Sequence, residues 1–196
     1  SEWVQGSPVN FEQLQGKVIL VEVFQVNCPG CFLYAIPQAI ELFNKYSNQG
    51  LFVIGIATAF EDFDKNTLSN LKLLVKSGKV IGETLNSLNR QGILQAGCLP
   101  YRIPFPVAMD RLVKVDQSIG PEDVDSFITT RLPDFDHRSL SYRDIIWQRA
   151  RHYLEGLEYR AETFEMFELK GTPSAILVDR EGLLNQRRFG SFPELE

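Results

Sequence analysis

Val18-Ile19-Leu20-Val21-Glu22-Val23-Phe24-Gln25-Val26-Asn27-Cys28-Pro29-Gly30-Cys31 is the stretch that decides how this chain folds. Its first seven residues lack the polar alternation of a half-exposed strand. Only Glu22 interrupts the apolar run, which reads as a central strand buried on both faces. Pro29 suits the first turn of a helix, where its missing N–H costs no hydrogen bond. Beyond it, Leu33, Ile36, Ile40 and Phe43 recur at helical spacing, Pro37 is expected to kink the helix, and Gly50 marks its exit. Cys28 and Cys31 thus sit at a strand-to-helix turn, where they can close a small disulfide ring and reopen it. A helix N-terminus stabilises negative charge, which favours Cys28 as the more acidic and more accessible thiol.

Such a pair has other readings. It can be half of a zinc site, but that needs further ligands, and the chain offers only Cys98, His137 and His152. It can also be two unreactive cysteines; the well-marked strand before it and helix after it argue against that. Asp134, Asp136 and His137 have the residue types of a metal site and the composition of a polar turn; the turn is the simpler reading. No metal and no cofactor is expected.

Composition narrows the function classes. With 44% hydrophobic residues and fourteen phenylalanines in 196 positions, the chain can build a substantial core in one domain. A net charge of −5 leaves no basic footprint for nucleic acid. Three cysteines are too few for a disulfide scaffold, and no apolar run reaches membrane-spanning length. No leader pattern is visible at Ser1, so a cytoplasmic location is expected, or a periplasmic one if a leader has been removed.

Further along, residues 1–16 read as an irregular or hairpin lead-in anchored by Trp3, Val9, Phe11 and Leu14. Leu51–Ala57 is a second buried strand. Asn66-Thr67 caps a helix over 68–76 that Gly78 stops, and a short helix follows over 80–88. Residues 92–106 read as loop and 105–109 as a short strand ended by Asp110. Residues 111–160 form a helical insertion: one helix from Gly120-Pro121 to Arg131, and a longer one opened by Ser141 with Tyr142, Ile145, Ile146, Ala150, Tyr153 and Leu157 on one face. A helix over 161–167 leads to Gly171-Thr172-Pro173, then strands at Ser174–Val178 and Leu184–Phe189. Arg187 and Arg188 read as a solvated strand end.

These features together resemble the thioredoxin superfamily, and within it the redoxin branch of TlpA-type thiol–disulfide oxidoreductases and alkyl-hydroperoxide-reductase-like proteins. The resemblance runs through Gly16-Lys17-Val18-Ile19-Leu20-Val21, Cys28-Pro29-Gly30-Cys31, the helix with Pro37, Val53-Ile54-Gly55-Ile56, Phe105-Pro106-Val107 and the Gly171-Thr172-Pro173-Ser174 segment onward to Gly182. It implies an α/β, three-layer thioredoxin-like fold with a central mixed sheet, a single domain over 1–196, and the insertion placed before a cis-proline loop. It further implies that Cys28 is the nucleophilic thiol and Cys31 the buried resolving thiol. Thr172 and Pro173, with Pro29 and Gly30, would face substrate, and Glu22 would be a buried acid exchanging protons with Cys31. Two departures stand out. Asn27 occupies a position that is often Trp in the family, and only residues 191–196 follow the last strand, where the family usually adds a helix.

The implied activity is disulfide reduction or exchange. Its partners would be a protein or small-molecule disulfide or dithiol and an upstream thiol reductant. Pro29 and Gly30 bring no charge to the ring, which argues for a reductant or mild exchanger. One competitor is a peroxiredoxin-like peroxidase. The family turn of that group, Pro-x-x-x-Thr-x-x-Cys, is not met here, since Val21 and Gln25 hold its Pro and Thr positions. Another is a non-catalytic, redox-switched binding module. Cys98 reads as a spectator thiol or as a third redox centre.

Overall fold

A computed structural model describes residues 2–115 and 119–190 of the chain. The last six residues, on which the question of a terminal helix falls, lie outside the described ones. The chain divides into two compact units, Ser1–Leu112 with Ala161–Glu196, and Val113–Arg160.

The first unit is built on a six-stranded mixed sheet. Its strands are β1 (Glu2–Gln5), β2 (Val18–Phe24), β3 (Leu51–Ala57), β4 (Val107–Met109), β7 (Ser174–Val178) and β8 (Leu184–Phe189), in the spatial order β1-β4-β3-β2-β7-β8. β2 is central, parallel to β3 and antiparallel to β7. All but its first residue are buried, as the unbroken apolar run requires. β1 does not form a hairpin: it pairs antiparallel with β4, about a hundred residues later, and that partner is invisible to local patterning.

The alternation of β2 sends its side chains to two cores. Leu20 and Phe24 pack with Cys31, Phe32, Ile36, Leu42, Leu71, Leu74 and Leu88, which come from the helix after the cysteines and from α2 (Leu68–Ser77) and α3 (Gly82–Arg90). Ile19, Val21 and Val23 face the other way, onto Leu14 and onto Phe164 of α6 (Glu162–Met166). Helices thus cover both sides of the sheet. Phe11, an expected anchor, is instead half exposed.

The Thr67 hydroxyl caps α2 by accepting from the Asn70 N–H at 3.2 Å, and Gly78 ends it at a positive φ of 73°. Asp110 does more than end β4. Buried at the strand end, its carboxylate accepts from the Thr58 hydroxyl at 2.9 Å and from the Thr163 and Phe164 N–H groups at the start of α6.

The second unit contains α4 (Pro121–Arg131) and α5 (Leu140–Glu155). Its core is Val124, Ile128, Phe135, Ala150 and Leu154, with Ile146 and Trp147 against it. The buried stripe of α5 therefore runs through Ile146, Ala150 and Leu154. Tyr142, Ile145 and Tyr153, expected on the same face, are among the exposed large side chains. The stripe faces the α4 residues Val124 and Ile128, and the Trp147 indole N–H turns to the Asp125 carboxylate at 2.9 Å. The unit begins and ends in two short strands that the sequence reading missed, β5 (Leu112–Lys114) and β6 (Tyr159–Ala161), which pair with each other. Each has only three residues, too few for a period to show.

Candidate functional site

Cys28 and Cys31 are joined by a disulfide at the mouth of the helix, with their Cα atoms 5.4 Å apart. Cys31 is fully buried and Cys28 half-buried, so the outer sulfur alone meets solvent. The Cys31 N–H lies 3.1 Å from the Cys28 carbonyl and 3.3 Å from the Cys28 sulfur. A thiolate at Cys28 would thus accept a main-chain N–H at a helix start, the environment that lowers a thiol's pKa.

The helix does not begin as a regular α-helix. Cys31–Ala35 is one π-helical turn, in which the Ile36 N–H donates to the Cys31 carbonyl, and α1 (Ile36–Tyr46) follows. Pro37 accounts for it. An N–H is missing at position 37, and the wider turn absorbs the loss without breaking the helix. Phe32 is the residue left short. Its carbonyl has lost Ile36 to Cys31, and its π partner would be Pro37. The Tyr101 hydroxyl fills that gap from the 92–106 loop, donating to the Phe32 carbonyl at 2.7 Å. Burial pushes the Tyr101 hydroxyl well above its ordinary pKa, so it stays a donor.

The Thr172–Pro173 peptide is cis, and the Thr172 carbonyl lies 3.6 Å from the Cys28 sulfur. A Cβ placed on Gly30 would stand 3.9 Å from the Pro173 ring, in ordinary contact. Pro29, Gly30, Thr172 and Pro173 therefore surround one sulfur, although about 140 residues separate the two segments. A Cβ on Gly171 would meet the edge of the exposed Phe189 ring at 2.6 Å, so a larger residue there would push that ring aside. The Ser174 hydroxyl holds the loop by donating to the Gly171 carbonyl at 2.8 Å.

Glu22 lies in mid-β2, in register with Gly55 on one side and Ala175 on the other. By strand alternation it shares the face of Leu20 and Phe24, the face that packs on Cys31. It is 3% exposed, and its Oε1 has no hydrogen-bond partner among the described residues. Burial pushes the carboxyl well above the usual carboxylate range, so it holds a proton where an exposed glutamate would not.

Val21 packs in the opposite core, and the Gln25 side-chain oxygen accepts from the Phe60 N–H at 3.0 Å. Cys98 is partly buried with a free thiol, held in a loop that bridges Lys79 and Gln95. Asp134 and Asp136 pair with Arg138 and Arg143, and no cluster of three metal-ligating side chains occurs among the described residues. Among those residues no helix is long and apolar enough to cross a membrane.

Asn27 is the residue whose part the sequence did not reveal. It is buried and engaged on every side, with bonds to Asn66, Asp62 and Glu83. The one local signal was its replacement of the Trp common at that position.

No protein-family model matches the chain. A stretch of 58 residues is 34% identical to the protein DipZ of Mycobacterium bovis; it covers 30% of this chain and 8% of DipZ. Among solved structures, a thiol-disulfide isomerase from Corynebacterium glutamicum matches 99% of this chain and 84% of its own, at 27% identity and a TM-score of 0.58. The thioredoxin-like superfamily protein SPOA0173 matches with the same coverage and TM-score at 22% identity, a likeness of fold.

Proposed function

We propose that this chain is a member of the thioredoxin superfamily, in its redoxin branch, and a thiol–disulfide oxidoreductase in which Cys28 and Cys31 are the redox pair; its likeness to a thiol-disulfide isomerase structure supports the reading. The carrying observation is the half-buried Cys28 sulfur, held between the N–H of Cys31 and the carbonyl of Thr172, with Cys31 closed off behind it. In the reducing direction the Cys28 thiolate attacks a substrate disulfide. One substrate sulfur leaves as a thiolate, and a mixed disulfide forms. Cys31 then attacks the Cys28 sulfur, closes the ring and releases the second substrate thiol. Thr172 and Pro173 border the attacked sulfur, where a substrate backbone would lie alongside it. Glu22, whose carboxyl burial pushes above the usual range and whose Oε1 has no partner among the described residues, is suited to exchange a proton with Cys31 when that thiol must become a nucleophile. An upstream dithiol resets the pair. The substrate is a protein or small-molecule disulfide.

The test is turnover. The wild-type protein with a dithiol donor should accelerate reduction of a model protein disulfide, and Cys28→Ser should abolish this. Cys31→Ser should accumulate a mixed disulfide on Cys28 that identifies substrates. Wild type as inert as Cys28→Ser with several donors would sink the proposal. Consumption of hydrogen peroxide without disulfide exchange would replace it with the peroxidase reading.

A further inference from the structure

Asn27 directly precedes Cys28 and is 8% exposed. Its main-chain N–H donates to Asn66 Oδ1 at 2.8 Å, its Nδ2 donates to Asp62 Oδ2 at 2.7 Å, and its Oδ1 accepts the Glu83 N–H at 2.7 Å. One residue earlier, the Val26 carbonyl accepts the Thr84 hydroxyl at 2.9 Å. The Glu83 bond explains a gap in α3. Its N-cap position is Ile81, which has no side-chain acceptor, so Asn27 caps the helix from a distant part of the chain. Gly82 fits the same arrangement, because a Cβ there would collide with Asn27 Oδ1. The turn that carries Cys28 is therefore clamped between the 62–66 loop and the start of α3, through buried Asn27, Asn66 and Thr84 and through Asp62 and Glu83 at the surface.

We propose that Asn27 is a positioning residue for the redox pair: it keeps the Cys28 turn in its ring-closing geometry when the two cysteines are reduced, and so favours the disulfide. This rests on the exchange activity proposed above. The argument is an asymmetry between the two states. In the oxidised protein the S–S bond itself holds the turn, so the clamp adds little order. In the reduced protein only the clamp does so. Removing it frees the reduced form alone, raises the entropy lost on closure and makes the protein more oxidising. A purely structural role would weaken both forms equally and leave their balance unchanged.

The experiment equilibrates the protein with reduced and oxidised glutathione. The two protein thiols lose two electrons and two protons as the Cys28–Cys31 bond forms, and glutathione disulfide takes them up as its own S–S bond breaks into two thiols. Asn27→Ala should lower the equilibrium constant for ring closure by about three- to tenfold, the scale of one or two net hydrogen bonds. Asn27→Asp keeps the acceptor for Glu83 but sets two carboxylates against each other, and should lower it as well. Adding Asp62→Asn to Asn27→Asp reverses donor and acceptor and should restore the wild-type balance. If Asn27→Ala does not fold, Asp62→Ala cuts only the side-chain tie and should shift the constant in the same direction. An unchanged constant in a folded Asn27→Ala or Asp62→Ala protein, or a swap without rescue, overturns the proposal. Wild type that does not exchange with glutathione at all refutes instead the redox reading on which it rests.

Discussion

The Tyr101 hydroxyl donates to the Phe32 carbonyl at 2.7 Å, and this bond satisfies the acceptor that Pro37 leaves without a partner in the π turn behind Cys31. A loop residue thus completes the hydrogen bonding of the helix that follows the Cys28–Cys31 disulfide. Tyr101→Phe should lower folding stability by about 1–2 kcal/mol, the usual cost of leaving a buried carbonyl unpaired. Denaturant unfolding measures it. Pro37→Ala supplies an N–H within the same helix, so Tyr101→Phe should cost less in that background. Equal costs in both backgrounds would show that the hydroxyl does not serve this carbonyl.

Glu22 should leave a pH signature. Its folded-state pKa is raised by burial, so the folded protein favours the neutral carboxyl more than the unfolded chain does. The stability linked to that proton is fully present below the unfolded-state pKa of about 4.3. Above it, stability falls by about 1.4 kcal/mol per pH unit until pH passes the folded-state value, and then levels off. Glu22→Gln removes this dependence, so the difference between the two proteins should widen with pH in favour of the variant. The same substitution should slow release of the mixed disulfide more than its formation, which stopped-flow kinetics separates. Parallel stability curves and unchanged release would make Glu22 a bystander.

Gly30 can accept a side chain, since its Cβ would only touch the Pro173 ring at 3.9 Å. Gly30→His places a cation beside the Cys28 sulfur and stabilises its thiolate against the disulfide. The expected outcome is a reduction potential raised by about 30 mV, a tenfold change for a two-electron couple, measured against glutathione. No shift would mean that the imidazole is directed away from the ring.

Excision of 113–160 tests the two compact units. The Glu162 N–H donates to the Arg111 carbonyl at 2.9 Å, so the cut ends lie side by side and a short linker can join them. The excised unit has a core of its own, as does the sheet unit. The shortened protein should keep cooperative melting, with a circular-dichroism spectrum that loses only the helical signal of α4 and α5, and should still reduce a small-molecule disulfide. Loss of folding would show that 113–160 covers apolar surface the sheet unit needs. Retained folding with a changed set of proteins trapped by Cys31→Ser would make the insertion a specificity element.

The sequence by itself determined the strand, turn and helix that frame Cys28 and Cys31. An unbroken apolar run, Pro29 at a first turn and helical spacing behind it are local signals, and local signals decide local structure. The same reasoning located β3, α2 with its Thr67 cap, β7 and β8, and it marked Glu22 as a charge inside a dry strand. Tertiary structure alone decided what those elements meet. β1 pairs with β4, α5 turns Ile146, Ala150 and Leu154 inward in place of Tyr142 and Tyr153, and Tyr101 finds the one carbonyl that Pro37 orphans. Asn27 is the sharpest case: a single amide whose three partners lie at 62, 66 and 83. Hydrogen bonds between distant segments leave no period in a sequence, because they need only one donor and one acceptor brought together by a fold that already exists.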